Sequence, residues 1–258
     1  MFFLSKMVVH PSELYKSVLR VHVARHIPPS AKGRPPLLSF DDAYDDILRV
    51  LRTGMQWRQL KPKLVSFITV FKTMHRWIAA DLFRTAYRSM LRLYARRRRP
   101  RHCCIDSTFV KNIYGIDCVG RNPTDRGRMA TKVSALVDDN GVPFSILCHP
   151  ANQSDMRLLQ PTLDSTIVAL PRRIPLYADK GYDSAFNRNV SVTRGYRDRI
   201  FRRRCTNGRR AHAKRGVVER FFSWLDKYRR LILRYERHIA TYESMTYIAC
   251  GILLQARL

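Results

Sequence analysis

Residues 132–137 and 143–148 are two short apolar runs joined by Asp138-Asp139-Asn140-Gly141. An Asn-Gly pair between such runs is a strong β-hairpin signal, because both residues accept the turn conformation that twisted antiparallel strands require. A third apolar run, 103–110, precedes the hairpin, and a fourth, 174–178, comes after it. Between the hairpin and the fourth run the pattern is helical, with Ser154 or Asp155 as N-cap and Leu158, Leu159 and Leu163 as the apolar side. A short basic strand is expected near 199–203, and helices over about 216–234 and 241–257 close the chain. Three strands, a helix, a strand and further helices is the order of a ribonuclease-H-like α/β domain, a mixed sheet flanked by helices. Many α/β folds share that order.

Upstream the texture is different. From residue 40 to about 94 the periodicity is helical, with Ala43, Ile47, Val50 and Leu51 on one stripe and Ile68, Phe71, Met74, Trp77 and Ile78 on another, separated at Gly54. The second stripe leaves Thr69, Lys72, Thr73 and Arg76 on the opposite face. That face suits either a DNA groove, as in helix-turn-helix proteins, or plain solvent. The run Arg96-Arg97-Arg98-Arg99-Pro100-Arg101 breaks the pattern. The organisation expected is an arm or short helix over 1–31, a small helical, helix-turn-helix-like domain over 32–95, a basic linker over 96–101 and a ribonuclease-H-like domain over 102–258.

Charge narrows the function. Lys and Arg number 48 against 20 Asp and Glu, a net +28 spread over the whole length. A single basic tail suggests an anchor or address, whereas basic residues in every segment point to a long nucleic-acid path. A ribosomal-type structural protein has the same composition. The six cysteines, at 103, 104, 118, 148, 205 and 250, form no CxxC pair, and no His stands at zinc-finger spacing, so reduced core thiols of an intracellular protein are expected. The opening Met1–Val9 stretch is interrupted by Lys6 and has no basic region ahead of it, so neither a signal peptide nor a membrane span is expected.

In a chain this poor in acids, a carboxylate inside or at the end of an apolar strand calls for a reason. Asp106 follows Cys103-Cys104-Ile105, and Asp179 follows Leu176-Tyr177-Ala178. Glu219 lies on a helix with Arg215 one turn before it. Two strand-borne Asp and one helix-borne Glu can surround a pair of divalent ions roughly 3.5–4 Å apart, the arrangement that two-metal phosphodiester cleavage needs. Each also has an ordinary explanation: Asp106 as a helix cap, Asp179 as a turn residue, Glu219 as an ion pair with Arg215.

The ordered set of motifs from about 32 to 257 resembles the DDE transposases of bacterial insertion sequences, specifically the insertion sequence five group. In the helical part the likeness rests on Lys32-Gly33-Arg34-Pro35 and on the stretch from Leu51 through Gly54-Met55-Gln56-Trp57-Arg58 to Leu60. In the catalytic part it rests on Ile105-Asp106-Ser107-Thr108, Thr124-Asp125-Arg126-Gly127-Arg128 with Thr131-Lys132, and Asp139-Asn140-Gly141-Val142-Pro143. It continues through Pro150-Ala151-Asn152 with Asp155, Ala178-Asp179-Lys180-Gly181-Tyr182-Asp183, and Val218-Glu219-Arg220 followed by Trp224-Leu225 and Arg229-Arg230-Leu231. Two positions depart from the family pattern: Lys61 separates Leu60 from Pro62, and His212 stands where a Tyr often does.

The resemblance implies that Asp106, Asp179 and Glu219 form the catalytic triad, spaced by 179 − 106 = 73 and 219 − 179 = 40 residues. They would hold Mg²⁺ or Mn²⁺ as a pair of ions. Arg215 and Lys227, with Arg126, Arg128, Lys132 and Lys180, would meet DNA together with Thr69, Lys72, Thr73 and Arg76. The implied activity is binding of terminal inverted repeats, hydrolysis to free a 3′-OH, and transfer of that 3′-OH to target DNA. A homodimer or higher oligomer on double-stranded DNA is expected, away from any membrane, at the bacterial nucleoid or in a eukaryotic nucleus. A transposase-derived DNA-binding protein without strand transfer, or a metal-dependent nuclease, is the competing expectation.

Overall fold

The computed structural model describes residues 13–28, 36–203 and 209–258, with only the backbone of 209–212. The Lys32–Pro35 motif, Cys205 and the His212 side chain therefore lie outside the described residues.

Four helices come first. In α1 (Leu14–His26) Tyr15, Val18 and Leu19 are buried, and the Tyr15 hydroxyl donates to the Phe83 carbonyl at 3.1 Å. In α2 (Phe40–Thr53) Ser39 caps the first turn by accepting from the Asp42 N–H at 3.1 Å, and the stripe Ala43, Ile47, Val50, Leu51 is buried as its spacing predicts. The helix stops at Gly54, whose φ of +72° is the left-handed cap that glycine takes without strain. In α3 (Phe67–Ala79) the buried line is Val70, Met74 and Trp77, while Ile68 is exposed. The inward stripe thus begins two residues later than expected: 70, 74 and 77 keep the i, i+4, i+7 spacing that one inward face requires. The fourth helix, α4 (Leu82–Arg97), buries seven side chains.

The helices are fastened to the β-hairpin. The Tyr87 hydroxyl of α4 donates to the Pro143 carbonyl at 2.6 Å, and Tyr94 donates to Asp138 at 2.6 Å. Asp138 also accepts from the N–H groups of Asn140 and Val142, at 2.9 and 2.8 Å, so one buried carboxylate organises the hairpin turn. The buried apolar residues of helices and sheet form a single cluster.

The sheet is built from β1 (Cys103–Asn112), β2 (Gly120–Arg121), β3 (Met129–Asp138), β4 (Pro143–Pro150), β5 (Pro175–Ala178), β6 (Arg197–Ile200) and β7 (Leu233–Arg234). From β4 the order runs β3, β1, β5, β6, with the short β2 and β7 attached to β3 and β1. The β4–β3–β1 portion is antiparallel and β1–β5–β6 is parallel. This is the mixed sheet of a ribonuclease-H-like domain. Helices α5 (Asp155–Asp164) and α6 (Ala185–Thr193) connect its strands.

Three more helices, α7 (Arg209–Leu225), α8 (Arg229–Ile232) and α9 (Ile239–Gln255), complete the chain. A continuous helix over 216–234 is not what forms. The chain breaks after Leu225, where the Tyr228 N–H bonds the Leu225 carbonyl at 2.9 Å, and Leu233–Arg234 pairs with Lys111–Asn112 of β1. The break lets Arg234 bury its guanidinium completely, bonded to Thr131 Oγ1 at 2.8 Å, to the Asp117 carboxylate and to main-chain carbonyls. It also places α8 against the end of α2, where the Arg230 guanidinium donates to the Met55 carbonyl at 3.1 Å and to Glu236 at 2.6 Å. Gly54 fits there because a Cβ on it would stand 3.1 Å from that of Arg229. No helix among the described residues is long and apolar enough to cross a membrane.

Candidate active site

Asp106 is the fourth residue of β1, and Asp179 is the residue directly after β5. The two strands are parallel neighbours in a register that pairs Cys104 with Tyr177. Continued by two residues, that register sets Asp106 level with Asp179 and on the same face, because side chains alternate with period 2. The 73-residue separation of the two acids is the same offset, 177 − 104. Both therefore stand level with the carboxyl end of β5, Asp179 just past it and Asp106 within the longer β1, beside the edge where open α/β sheets place their ligands.

Glu219 arrives from α7. Val218 and Phe221 of that helix are buried in the core, which turns Glu219 outward. The Cys104 thiol donates to the Lys214 carbonyl at 3.3 Å, so α7 lies on the face of β1 that carries Asp106. Burial pushes the Cys104 thiol up to about 12, which keeps it protonated.

Arg215, one turn before Glu219, binds all three acids. Its guanidinium donates to Asp179 at 2.8 Å, to Asp106 at 3.2 Å and to Glu219 at 3.3 Å. The side chains grade outward, from Asp106, 20% exposed, through Asp179 at 44% to Glu219 at 64%. Burial raises the Asp106 carboxyl above its ordinary value, as does the nearby Asp179, against the lowering effect of the Ser107 N–H and Arg215. Among the described residues, no three His, Cys, Asp or Glu side chains are grouped as a metal site on their own. The guanidinium stands between the three acids. The donors nonetheless fit a divalent cation in kind: hard carboxylate oxygens from three elements converge on one positive charge, and three carboxylates against one guanidinium leave negative charge in excess.

The other residues expected at the site or on DNA fall in several places. Thr69, Lys72 and Arg76 are exposed along α3, with Thr73 half-buried beside them. Arg126 and Arg128 are exposed in the turn between β2 and β3, and Lys180 in the turn after Asp179. Lys227 is exposed beyond the end of α7 rather than on it. Lys132 is buried, its ammonium donating to Asp155 at 2.8 Å and to the Gln153 carbonyl at 3.0 Å, so the structure does not put it on the outer surface. The sequence alone offers Asp155 only as an alternative N-cap and as part of one of the family-like motifs; the cap position is Ser154, and Asp155 is the first residue of α5.

Asp106 and Asp179 thus sit on or directly after adjacent parallel strands of a ribonuclease-H-like mixed sheet, and Glu219 on the helix that crosses it. Residues 97–254 match the family described as the transposase DDE domain, and the chain belongs to that family. It is 34% identical over 147 residues, 54% of its length and 70% of the relative's, to a protein described as the putative transposase for insertion sequence element IS402 of Burkholderia cepacia. It is 28% identical over 131 residues, 48% of its length and 98% of the relative's, to one described for element IS6501 of Brucella ovis. A third match, 34% over 80 residues, covers 31% of the chain and 26% of the transposase for element IS1106 of Neisseria meningitidis serogroup B. The chain is thus an insertion-sequence DDE transposase, an enzyme whose partner is DNA and whose family uses divalent metal ions.

Proposed function

We propose that the chain binds the terminal inverted repeats of its own mobile element, cuts at the element ends and joins the freed 3′-OH to target DNA. The observation that carries this reading is the convergence of Asp106, Asp179 and Glu219 on one guanidinium, within 3.3 Å. Those three side chains would hold two Mg²⁺ or Mn²⁺ ions. When bound, such ions supply activation of the attacking water or 3′-OH and stabilisation of the leaving oxygen.

The chain's own groups do the rest. Arg215 has its guanidinium beside the acids, and with them neutralised it is free to turn its paired donors to a DNA phosphate, the geometry in which Arg binds phosphate best. The exposed face of α3, with Thr69, Lys72 and Arg76, reads the repeat, while Arg126, Arg128, Lys180 and Lys227 track the backbone. In this division of labour, residues 32–95 recognise DNA, 96–101 contact phosphate and 102–258 carry the chemistry. The motifs support assignment to the insertion sequence five group. Two ends must be cut together, so a dimer or higher oligomer on DNA at the nucleoid is the working form.

The test is replacement of each acid by its amide. Asp106→Asn, Asp179→Asn and Glu219→Gln keep shape and remove the charge that holds metal. Each should abolish Mg²⁺-dependent nicking of end-containing DNA while leaving DNA binding in place. A variant that nicks like the parent is not missing a metal ligand. Loss of joining alone, with nicking retained by the parent, would point to a nuclease.

A further inference from the structure

Behind the three acids, on the opposite face of β1, a fourth carboxylate ties together the segments that carry two of them. Ser107 follows Asp106 and points to the other side of the strand, where its hydroxyl donates to Asp155 Oδ1 at 2.7 Å. The same oxygen accepts from the buried Lys132 ammonium at 2.8 Å. Lys132 pairs with Phe109 across β1 and β3, and its ammonium lies 4.8 Å from the centre of that ring. The second Asp155 oxygen faces Gly181, two residues after Asp179, so closely that a Cβ there would stand 3.1 Å from it. The turn containing Gly181 is also held by the buried Asn187 of α6, whose amide donates to the Tyr182 carbonyl at 2.9 Å and to the Met156 carbonyl at 3.0 Å.

Asp155 thus bonds the backbone neighbour of Asp106 through one oxygen and closes over the turn after Asp179 with the other. Lys132 neutralises it, so the contact adds no net charge behind the site. Ser107 also donates its N–H to Asp106 Oδ1 at 2.8 Å, which passes the restraint directly to that carboxylate. Asp155 bonds on the Ser107 side of β1 and is occupied by Ser107 and Lys132, so it is no fourth ligand. We propose that Asp155, with Lys132 and Ser107, is a positioning residue that fixes the relative placement of Asp106 and Asp179 for metal binding. The inference rests on the reading of those two acids as ligands.

The experiment is Mn²⁺ binding to the full-length, DNA-free protein, followed by electron paramagnetic resonance, for Asp155→Ala, Asp155→Asn, Ser107→Ala and Asp106→Asn. Removing groups that orient metal-ligating carboxylates typically costs about 10–100-fold in affinity, and Asp155→Ala should show a loss of that size. Asp155→Asn should lose less, because its amide oxygen can still accept from Ser107, and Ser107→Ala should also weaken binding. DNA affinity in the presence of a chelator and the circular dichroism spectrum should stay as in the parent. A purely structural Asp155 would lower thermal stability and leave Mn²⁺ affinity unmoved. That result, with Asp106→Asn losing the ion, would overturn the proposal. If Asp155→Ala does not fold, Asp155→Asn and Ser107→Ala decide in the same way. If Asp106→Asn itself keeps Mn²⁺, the ligand reading fails and the inference with it.

Discussion

Arg215 meets Asp179 at 2.8 Å while the same guanidinium reaches Asp106 and Glu219, so one side chain is the common counter-charge of the whole acidic set. A divalent ion and this guanidinium seek the same oxygens. Arg215→Ala should therefore tighten Mn²⁺ binding by the free protein, by roughly tenfold if about 1.4 kcal/mol of competition is relieved. It should also slow cleavage through loss of the phosphate contact. Titration of the free protein and single-turnover nicking measure the two effects. Weaker Mn²⁺ binding in Arg215→Ala would mean that the guanidinium organises the acids instead of competing for them.

The net +28 of the chain predicts a steep salt response. A protein touching about 6–10 phosphates loses roughly 10³–10⁵ in affinity between about 50 and 200 mM salt. Fluorescence anisotropy with end-containing duplex at several salt concentrations gives the slope. A flat response would assign the excess charge to something other than a DNA path.

Lys72 and Arg76 stand one turn apart on the exposed side of α3, with Thr69 exposed beside them. Replacing both by Ala should cost preference for the element's own ends by about 1–3 kcal/mol per lost base contact, and cost less on random duplex. Both affinities are to be compared at one salt concentration. An equal loss on both DNAs would move recognition elsewhere, to the arginine run at 96–101 or to the segment before residue 32.

Asp117 predicts a pH effect. Burial alone would raise its carboxyl, but hydrogen bonds from the Ile239 N–H at 2.8 Å and from Arg234 outweigh burial and hold it below the usual carboxylate range. With the folded value below the unfolded one, the stabilisation is fully present above the unfolded pKa of about 3.9 and is lost as pH falls through the folded value. Asp117→Asn should melt lower than the parent at neutral pH, and the gap should close in acid. Thermal melts across that window check it, and a gap independent of pH would remove the carboxylate charge from the account.

Much of this was legible because it is local. The Asn140-Gly141 turn announces the hairpin, and carboxylates inside or directly after apolar strands of a basic chain single out Asp106 and Asp179. The break after Leu225 was not legible: Leu225, Tyr228 and Leu231 keep helical spacing, and only tertiary partners of Arg230 and Arg234 end the helix there. The two-residue strands β2 and β7 are too short to carry any periodicity. Arg215 was recognisable as a neighbour of Glu219 at i,i+4, but its bonds to Asp179 and Asp106 span 36 and 109 residues. The role of Asp155 was hidden for the same reason, since Ser107 lies 48 residues away and on a different element.

The junction between α2 and α8 has a mechanical consequence. The Arg230 bond to the Met55 carbonyl and the contact of Gly54 with Arg229 join the segment leading into α3 to the segment leaving α7. The helix proposed to touch bases and the helix that carries Glu219 are thereby parts of one caliper. The separation between its jaws is set by the folded chain and not by a swinging tether. On the proposed reading, and with one chain reading and cutting the same end, that would fix how far from its recognition sequence the cut falls. An element end whose recognition sequence is shifted by a few base pairs relative to the scissile phosphate would still be gripped, but the jaws would close on the wrong bond or on none.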